Sequence, residues 1–178
     1  MKTRLENIIE KYSKDLYSFC YYLTTNKYEA EDLYQDAFER MINKGELPET
    51  DEEAKQMLLS MSVSLWKDKR RKFAWRKRIF EEKYIPEATM ESESIDEESP
   101  ESTLIQDESR RYVMECVNSL PDKMRIVILL YYMENLKVSE IAELLHVPPG
   151  TVKSRLHIAK EKLALLMRAD RREAFDYE

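Results

Sequence analysis

The stretch KDKRRKFAWRKR, residues 67–78, sets the cations Lys67, Lys69, Arg70, Arg71, Lys72, Arg76, Lys77 and Arg78 around the rings of Phe73 and Trp75. That composition suits a nucleic-acid strand. Ammonium and guanidinium groups track phosphates, and aromatic faces stack on bases that have left a duplex. Trapping an unstacked base shifts a duplex toward its open form, so melting is captured rather than driven by hydrolysis. A second stretch, HVPPGTVKSRLHIAKEKL at residues 146–163, runs two prolines and a glycine straight into a helical pattern. On a wheel of about 100° per residue, Val152, Leu156, Ala159 and Leu163 form an apolar stripe, and Ser154, His157, Ile158 and Glu161 fall opposite. A helix that only packed would gain nothing from an isoleucine on its outer side. Lys153, Ser154, His157 and Ile158 suit a DNA major groove, where a cation or hydroxyl reads base edges and an apolar group meets a thymine methyl. Arg155 and Lys160 stand as phosphate holders. Thr151 and the first amides of the helix add a further phosphate contact, because that end carries partial positive charge. Pro149 and Gly150 are expected to fix how the helix starts.

Catalytic constellations do not emerge. The chain has no phosphate-binding glycine loop and no nucleophile–base pair. Cys20 and Cys116 lie far apart in apolar helical surroundings, and His146 and His157 are the only imidazoles, so metal binding is not expected and both thiols read as reduced. The expectation is a protein that is not an enzyme and takes no cofactor or small-molecule substrate.

The elements that carry these residues come from a chain of 178 residues whose 43% hydrophobic content suffices for one ordinary domain or two small ones. Two glycines in the whole chain, a charged fraction of 36% and apolar spacings of three and four point to an all-α protein. The net charge of -6 hides a strong segregation. Residues 67–86 hold nine Lys and Arg against three Asp and Glu, whereas residues 87–108 hold nine carboxylates and no cation. A local basic face can therefore meet nucleic acid despite the acidic total. The segment PEATMESESIDEESPES lacks aromatic residues and reads as a tether between two domains; its span of Ile85–Ser102 reaches roughly 60 Å when fully extended. The opening MKTRLENIIEKYSKDLY breaks its apolar positions with charge, so it is neither signal peptide nor membrane span, and a cytoplasmic location is expected.

In the first half, Leu5, Ile8, Ile9, Tyr12, Leu16, Phe19 and Leu23 make one stripe, and Asn26 can cap a second helix carrying Ala30, Leu33, Ala37, Phe38 and Met41. Gly45 and Pro48 end it. Thr50 with Glu53 fits a capping box for a third helix with the stripe Ala54, Met57, Leu58, Met61 and Leu65, and Trp66 is assigned to the core. In the second half a helix through Leu104, Val113 and Val117 stops at LPD, another runs through Met124, Val127, Ile128 and Tyr131 to Asn135, and Ser139 can cap a short helix holding Ile141, Leu144 and Leu145. Short helix, tight turn and longer helix make the layout of a helix-turn-helix.

These residues carry a resemblance. SLPDKMRIVILLYYMENLKVSEIAELLHVPPGTVKSRLHIAKEKL resembles the minus-35-reading region of bacterial extracytoplasmic-function (ECF) sigma factors, with LP…R, EIAELL and GTVKSRL as landmarks. YEAEDLYQDAFERM, residues 28–41, is similar to the polymerase-binding helix of that family, and LLSMSVSLWKDKRRK to its minus-10 region. The resemblance implies a domain at 1–84 of three to four helices for polymerase binding and promoter melting. It then implies an acidic linker at 85–102, a four-helix domain at 103–170 with the helix-turn-helix, and a tail at 171–178. It implies that Asp32, Gln35, Asp36, Glu39 and Arg40 meet core RNA polymerase, and that Ser64, Lys67, Lys69, Arg70, Arg71, Lys72, Phe73 and Trp75 serve the single-stranded minus-10 element. Thr151, Lys153, Ser154, Arg155, His157, Ile158 and Lys160 would serve the duplex minus-35 element. An anti-sigma factor is an implied partner, which can hold the protein at a membrane, and the linker is implied to enter the RNA path of the polymerase. Four positions depart from the family pattern: Ser64 stands where many members have asparagine, Met57 where many have tryptophan, His146 where glycine is frequent, and Ile158 where arginine is frequent. The competing reading is a helix-turn-helix regulator that acts without polymerase.

Overall fold

The computed structural model describes the backbone of residues 3–81 and 104–175, and the side chains of residues 3–79 and 110–168. The acidic tether lies outside the described residues. The chain divides into two compact units, Met1–Ser94 and Ile95–Glu178, and among the described residues all regular structure is helical.

The first unit packs α1 (Arg4–Thr24), α2 (Lys27–Asn43) and α3 (Asp51–Glu81) around one core. Each helix start has a side-chain cap. Thr3 and Glu6 exchange hydrogen bonds at α1, the Asn26 side chain accepts from the Glu29 amide at 3.0 Å, and Thr50 and Glu53 form a reciprocal box at 3.2 Å in both directions. Thr25 takes a left-handed φ of 59° at the corner between α1 and α2. The α2 stripe Ala30, Leu33, Ala37, Phe38 and Met41 is buried as its spacing predicts.

The face of α3 is turned from the one its spacing predicts. Ala54 and Leu58 are buried, but Met57, Met61 and Leu65 are only half-buried, and Leu59, Ser62, Val63 and Trp66 go inside. A helix wedged against both α1 and α2 needs a broad inner face, and Leu59, Val63 and Trp66 supply more apolar area there than the methionines. Ser62 sits inside because it is small enough for α1 to approach at Cys20, and its hydroxyl donates to the Leu58 carbonyl at 2.9 Å. Past Trp66 the helix leaves the core, and residues 71–79 are all exposed.

The loop before α3 is pinned by α1. Arg4 reaches the Pro48 carbonyl at 3.1 Å and Asp51 Oδ1 at 2.6 Å, Lys11 pairs with Asp51 Oδ2, and the Tyr12 hydroxyl donates to the Asp51 carbonyl at 2.9 Å. The bonds from Lys11 and then Arg4 hold the Asp51 carboxyl below the usual carboxylate range.

The second unit holds α4 (Leu104–Asn118), α5 (Asp122–Ile128), α6 (Val138–Leu145) and α7 (Pro149–Phe175), with a π-turn over Leu129–Met133 continuing α5. Arg125 is buried, although its residue type favours water, because it gathers the acceptors left at the end of α4. It donates to the carbonyls of Asn118 at 3.0 Å and Leu120 at 3.1 Å, and to Asp122 Oδ1 at 2.6 Å. The arginine of LP…R is therefore a clasp between helices. Cys116, Val117, Val127, Leu130, Ile141, Leu145, Val152, Leu156 and Ala159 form the core, while Val113 is 40% exposed and stays out of it. The capping position of α6 is Lys137, whose amide donates to Glu140 Oε2 at 2.6 Å; Ser139 lies inside the first turn. His146 ends α6 at φ 55°, at a cost of about 1–2 kcal/mol that glycine would avoid. Pro149 is the first residue of α7, and that helix runs to Phe175, into the segment read as a tail.

Candidate nucleic-acid interface

The turn between α6 and α7 delivers one polar face to solvent. Val152 and Ala159 are fully buried and Leu156 is 6% exposed, so the apolar stripe fixes the rotation of α7 about its axis. Lys153, Ser154, His157 and Lys160 are then exposed, Thr151 and Arg155 half-exposed, and Ile158 stands 41% exposed among them. Ser154 donates to the Thr151 carbonyl at 3.0 Å, and His157 Nε2 lies 3.5 Å from Glu161 Oε1. Lys160 has partners that sequence reasoning missed. Its Nζ lies 5.7 Å from the Tyr131 ring centroid and 5.5 Å from that of Tyr132, and the hydrogen bond with the Tyr132 hydroxyl raises its pKa. Adjacent tyrosines in LLYYM were the available signal. Gly150 departs from expectation: it is helical without a positive φ, and a Cβ there would meet nothing within 4 Å. Pro149 starts the helix, and Gly150 is not required by the backbone.

On α3 the sequence-predicted residues separate into two sides. Lys69 pairs with Asp36 of α2 at 3.1 Å, and the Arg70 guanidinium lies 5.8 Å from the centroid of the buried Trp66 ring. Phe73 continues this side, in line with the core residues Leu59, Val63 and Trp66. Trp75 points elsewhere, because two residues of helix turn a side chain by about 200°. Its side also carries Ser64, Arg71 and Lys72, and further back Met57 and Met61. Those two methionines, with Lys44, Pro48, Glu53, Gln56 and Ser60, line a cleft of about 440 Å³. Phe73 and Trp75 are 59% and 64% exposed, so both rings reach solvent, but they do not share one track. A helical wheel over residues 56–75 would have separated them. Lys67 is half-exposed near the end of the core, and Arg71 is paired with Asp68.

On α2, Asp32, Gln35, Glu39 and Arg40 are exposed, and Asp36 is half-exposed and paired with Lys69 of α3. Tyr34 is held in an aromatic chain, 6.0 Å from Tyr17 and 5.1 Å from Phe38 between ring centroids. The helix is thus fixed from inside while its charged side remains open to solvent.

A helix-turn-helix in one unit, and in the other a long helix that carries cations and rings past its own core, define a two-module helical DNA-binding protein. The Sigma-70 region 2 family model matches residues 8–76, and the Sigma-70, region 4 model matches residues 110–163. The chain is 32% identical over 164 residues to the ECF RNA polymerase sigma factor SigW of Bacillus subtilis, covering 91% of this chain and 88% of that one. It is 23% identical over 180 residues to SigX of the same organism, covering 100% and 91%. With the ECF RNA polymerase sigma-E factor of Escherichia coli K12 it shares 35% identity over 65 residues, 36% of this chain and 34% of that one. This chain belongs to the ECF RNA polymerase sigma factors. Its fold matches a sigma factor RpoE solved in complex with the anti-sigma factor NepR from Bartonella quintana, with a TM-score of 0.67, 22% identity, and coverage of 92% and 98%.

Proposed function

We propose that this protein is an alternative sigma factor that binds core RNA polymerase and directs initiation at chosen promoters. In this reading α7 enters the major groove at the minus-35 element, with Lys153, Ser154, His157 and Ile158 on base edges and Thr151, Arg155 and Lys160 on phosphates. The outer side of α3 receives the melted minus-10 strand, with Trp75 as the stacking ring and Ser64, Lys67, Arg71 and Lys72 along its path. Lys69, Arg70 and Phe73 lie on the α2 side, where they steady the duplex upstream of the melted strand. Asp32, Gln35, Asp36, Glu39 and Arg40 present the charged face that docks on polymerase, speeding encounter and setting register. The division of labour follows the bounds 1–84, 85–102 and 103–170, and an anti-sigma factor is a fitting partner.

The observation that carries this reading is the rotation of α7: a buried stripe of Val152, Leu156 and Ala159 leaves Ile158 exposed between groups that can read bases. Run-off transcription on a library of genomic fragments, with the full chain added to core polymerase, tests it. The expected result is transcripts starting at a small set of sites. Binding to duplex DNA without any holoenzyme would instead support a regulator that works alone.

A further inference from the structure

The reading side of α7 is bordered by two rows of cations. With Val152 at zero, Lys153 and Lys160 fall at about 100° and 80°, and Arg155 and Lys162 at about 300° and 280°. Each row repeats after two turns, and Ser154, His157, Ile158 and Glu161 lie between them, with Glu161 Oε1 3.5 Å from His157 Nε2. Lys153, Lys160 and Lys162 are exposed and Arg155 is half-exposed. A helix seated in a major groove has one phosphate strand along each side, so Lys160 on one border and Arg155 with Lys162 on the other stand where the two strands pass, while Lys153, nearer the helix start, keeps to the base edges.

The two borders are built differently. On one, the Tyr131 and Tyr132 rings meet edge to face at 5.0 Å and 77°, and both lie under the Lys160 ammonium. Successive helix residues normally point about 100° apart. The wider π-turn over Leu129–Met133 narrows that angle and turns both rings toward one cation. Tyr132 remains 54% exposed, with the Lys160 ammonium 5.5 Å from its ring centroid. An ammonium carries three donors and a phenol one. The exposed phenol and the ammonium thus stand side by side on the flank of the reading helix, a pair of donors that suits an anionic oxygen.

We propose that Tyr132 and Lys162 complete two phosphate clamps beside the base-reading residues: Tyr132 with Lys160 grips one DNA strand, and Lys162 with Arg155 grips the other. The proposal rests on α7 being the minus-35 reader. It deepens that reading by assigning two residues to the sugar–phosphate backbone and a purpose to the π-turn.

Holoenzyme reconstituted from the full chain and core polymerase is used to select duplexes from a random-sequence pool, and the enriched duplex is titrated at several salt concentrations. Tyr132→Phe keeps the ring over Lys160 and removes only the hydroxyl. It should bind the enriched duplex about 3- to 10-fold more weakly while selecting the same sequence. Lys162→Gln should also bind more weakly, with the slope of log affinity against log salt smaller by about 1. Ile158→Arg serves as the control for base reading and should change the selected bases. Parental affinity and slope in either clamp variant, with Ile158→Arg still shifting the sequence, would remove that clamp and leave the reading of α7 intact. If the parent enriches no duplex, or Ile158→Arg leaves the sequence unchanged, the reading of α7 fails and both clamps fail with it.

Discussion

Gly150 sits in the first turn of α7 with open space around its missing side chain, so a methyl group there costs the isolated fold nothing. Gly150→Ala should raise stability by about 0.5 kcal/mol through helix propensity. If phosphate approaches the start of α7, the same methyl group lies in its way, and minus-35 affinity should fall while the melting temperature rises. Thermal melting and duplex binding on one preparation measure both, and a rise in both would place the phosphate elsewhere. Arg125 makes the opposite point, because its guanidinium is inside and committed to two carbonyls and a carboxylate. Arg125→Met should cost about 2–4 kcal/mol, since it leaves those acceptors without a donor; urea unfolding measures it. LP…R could be recognised as a landmark from the sequence, but not as a clasp. A sequence gives no sign that an arginine will be buried, because its partners are main-chain carbonyls that carry no residue identity.

At the scale of elements, α3 separates the two rings that the sequence sets side by side. Trp75→Ala should reduce open-complex formation about 5- to 100-fold, the loss of one stacked base, while Phe73→Ala should act more weakly on opening. Permanganate footprinting of the melted strand compares them, and equal losses would return both rings to one track. The start of α3 is tied down by Asp51, held by Lys11 and Arg4. Its folded-state pKa is lowered, so its contribution to stability is present above the ordinary aspartate pKa of about 4 and is lost as pH falls through the lowered value. Asp51→Asn should therefore be less stable than the parent near pH 7, and the gap should narrow below about pH 4, as urea unfolding at the two pH values would record. The stripes of α1 and α2 were legible because each helix faces one core at regular spacing. The inner face of α3 was not, because a helix held between two others buries a broader arc than a single stripe describes. The π-turn escaped for a related reason: local propensity does not encode it, and its surroundings include α6, which follows it in the chain.

At the scale of the whole molecule, the chain joins two helical units through a stretch where the sign of the charge reverses. A basic stretch lies in the last turns of α3, and seven carboxylates from Glu87 to Glu101 follow it before α4. Replacing those carboxylates with Gly and Ser at equal length should alter the yield of short abortive transcripts, read by gel analysis of initiation products. Unchanged product lengths would reduce the segment to a spacer. The sequence by itself determined the all-helical class, the caps at Asn26 and Thr50, the helix-turn-helix and the family. Those follow from the period of apolar residues, from capping chemistry and from contiguous motifs, all of which are local in the chain. Only the tertiary structure decided which arc of α3 is buried, that Lys69 answers Asp36, and that two tyrosines cradle Lys160. Each of these depends on contacts between residues distant in sequence, or on how far a helix is turned about its axis by its neighbours, and neither quantity is written in local spacing.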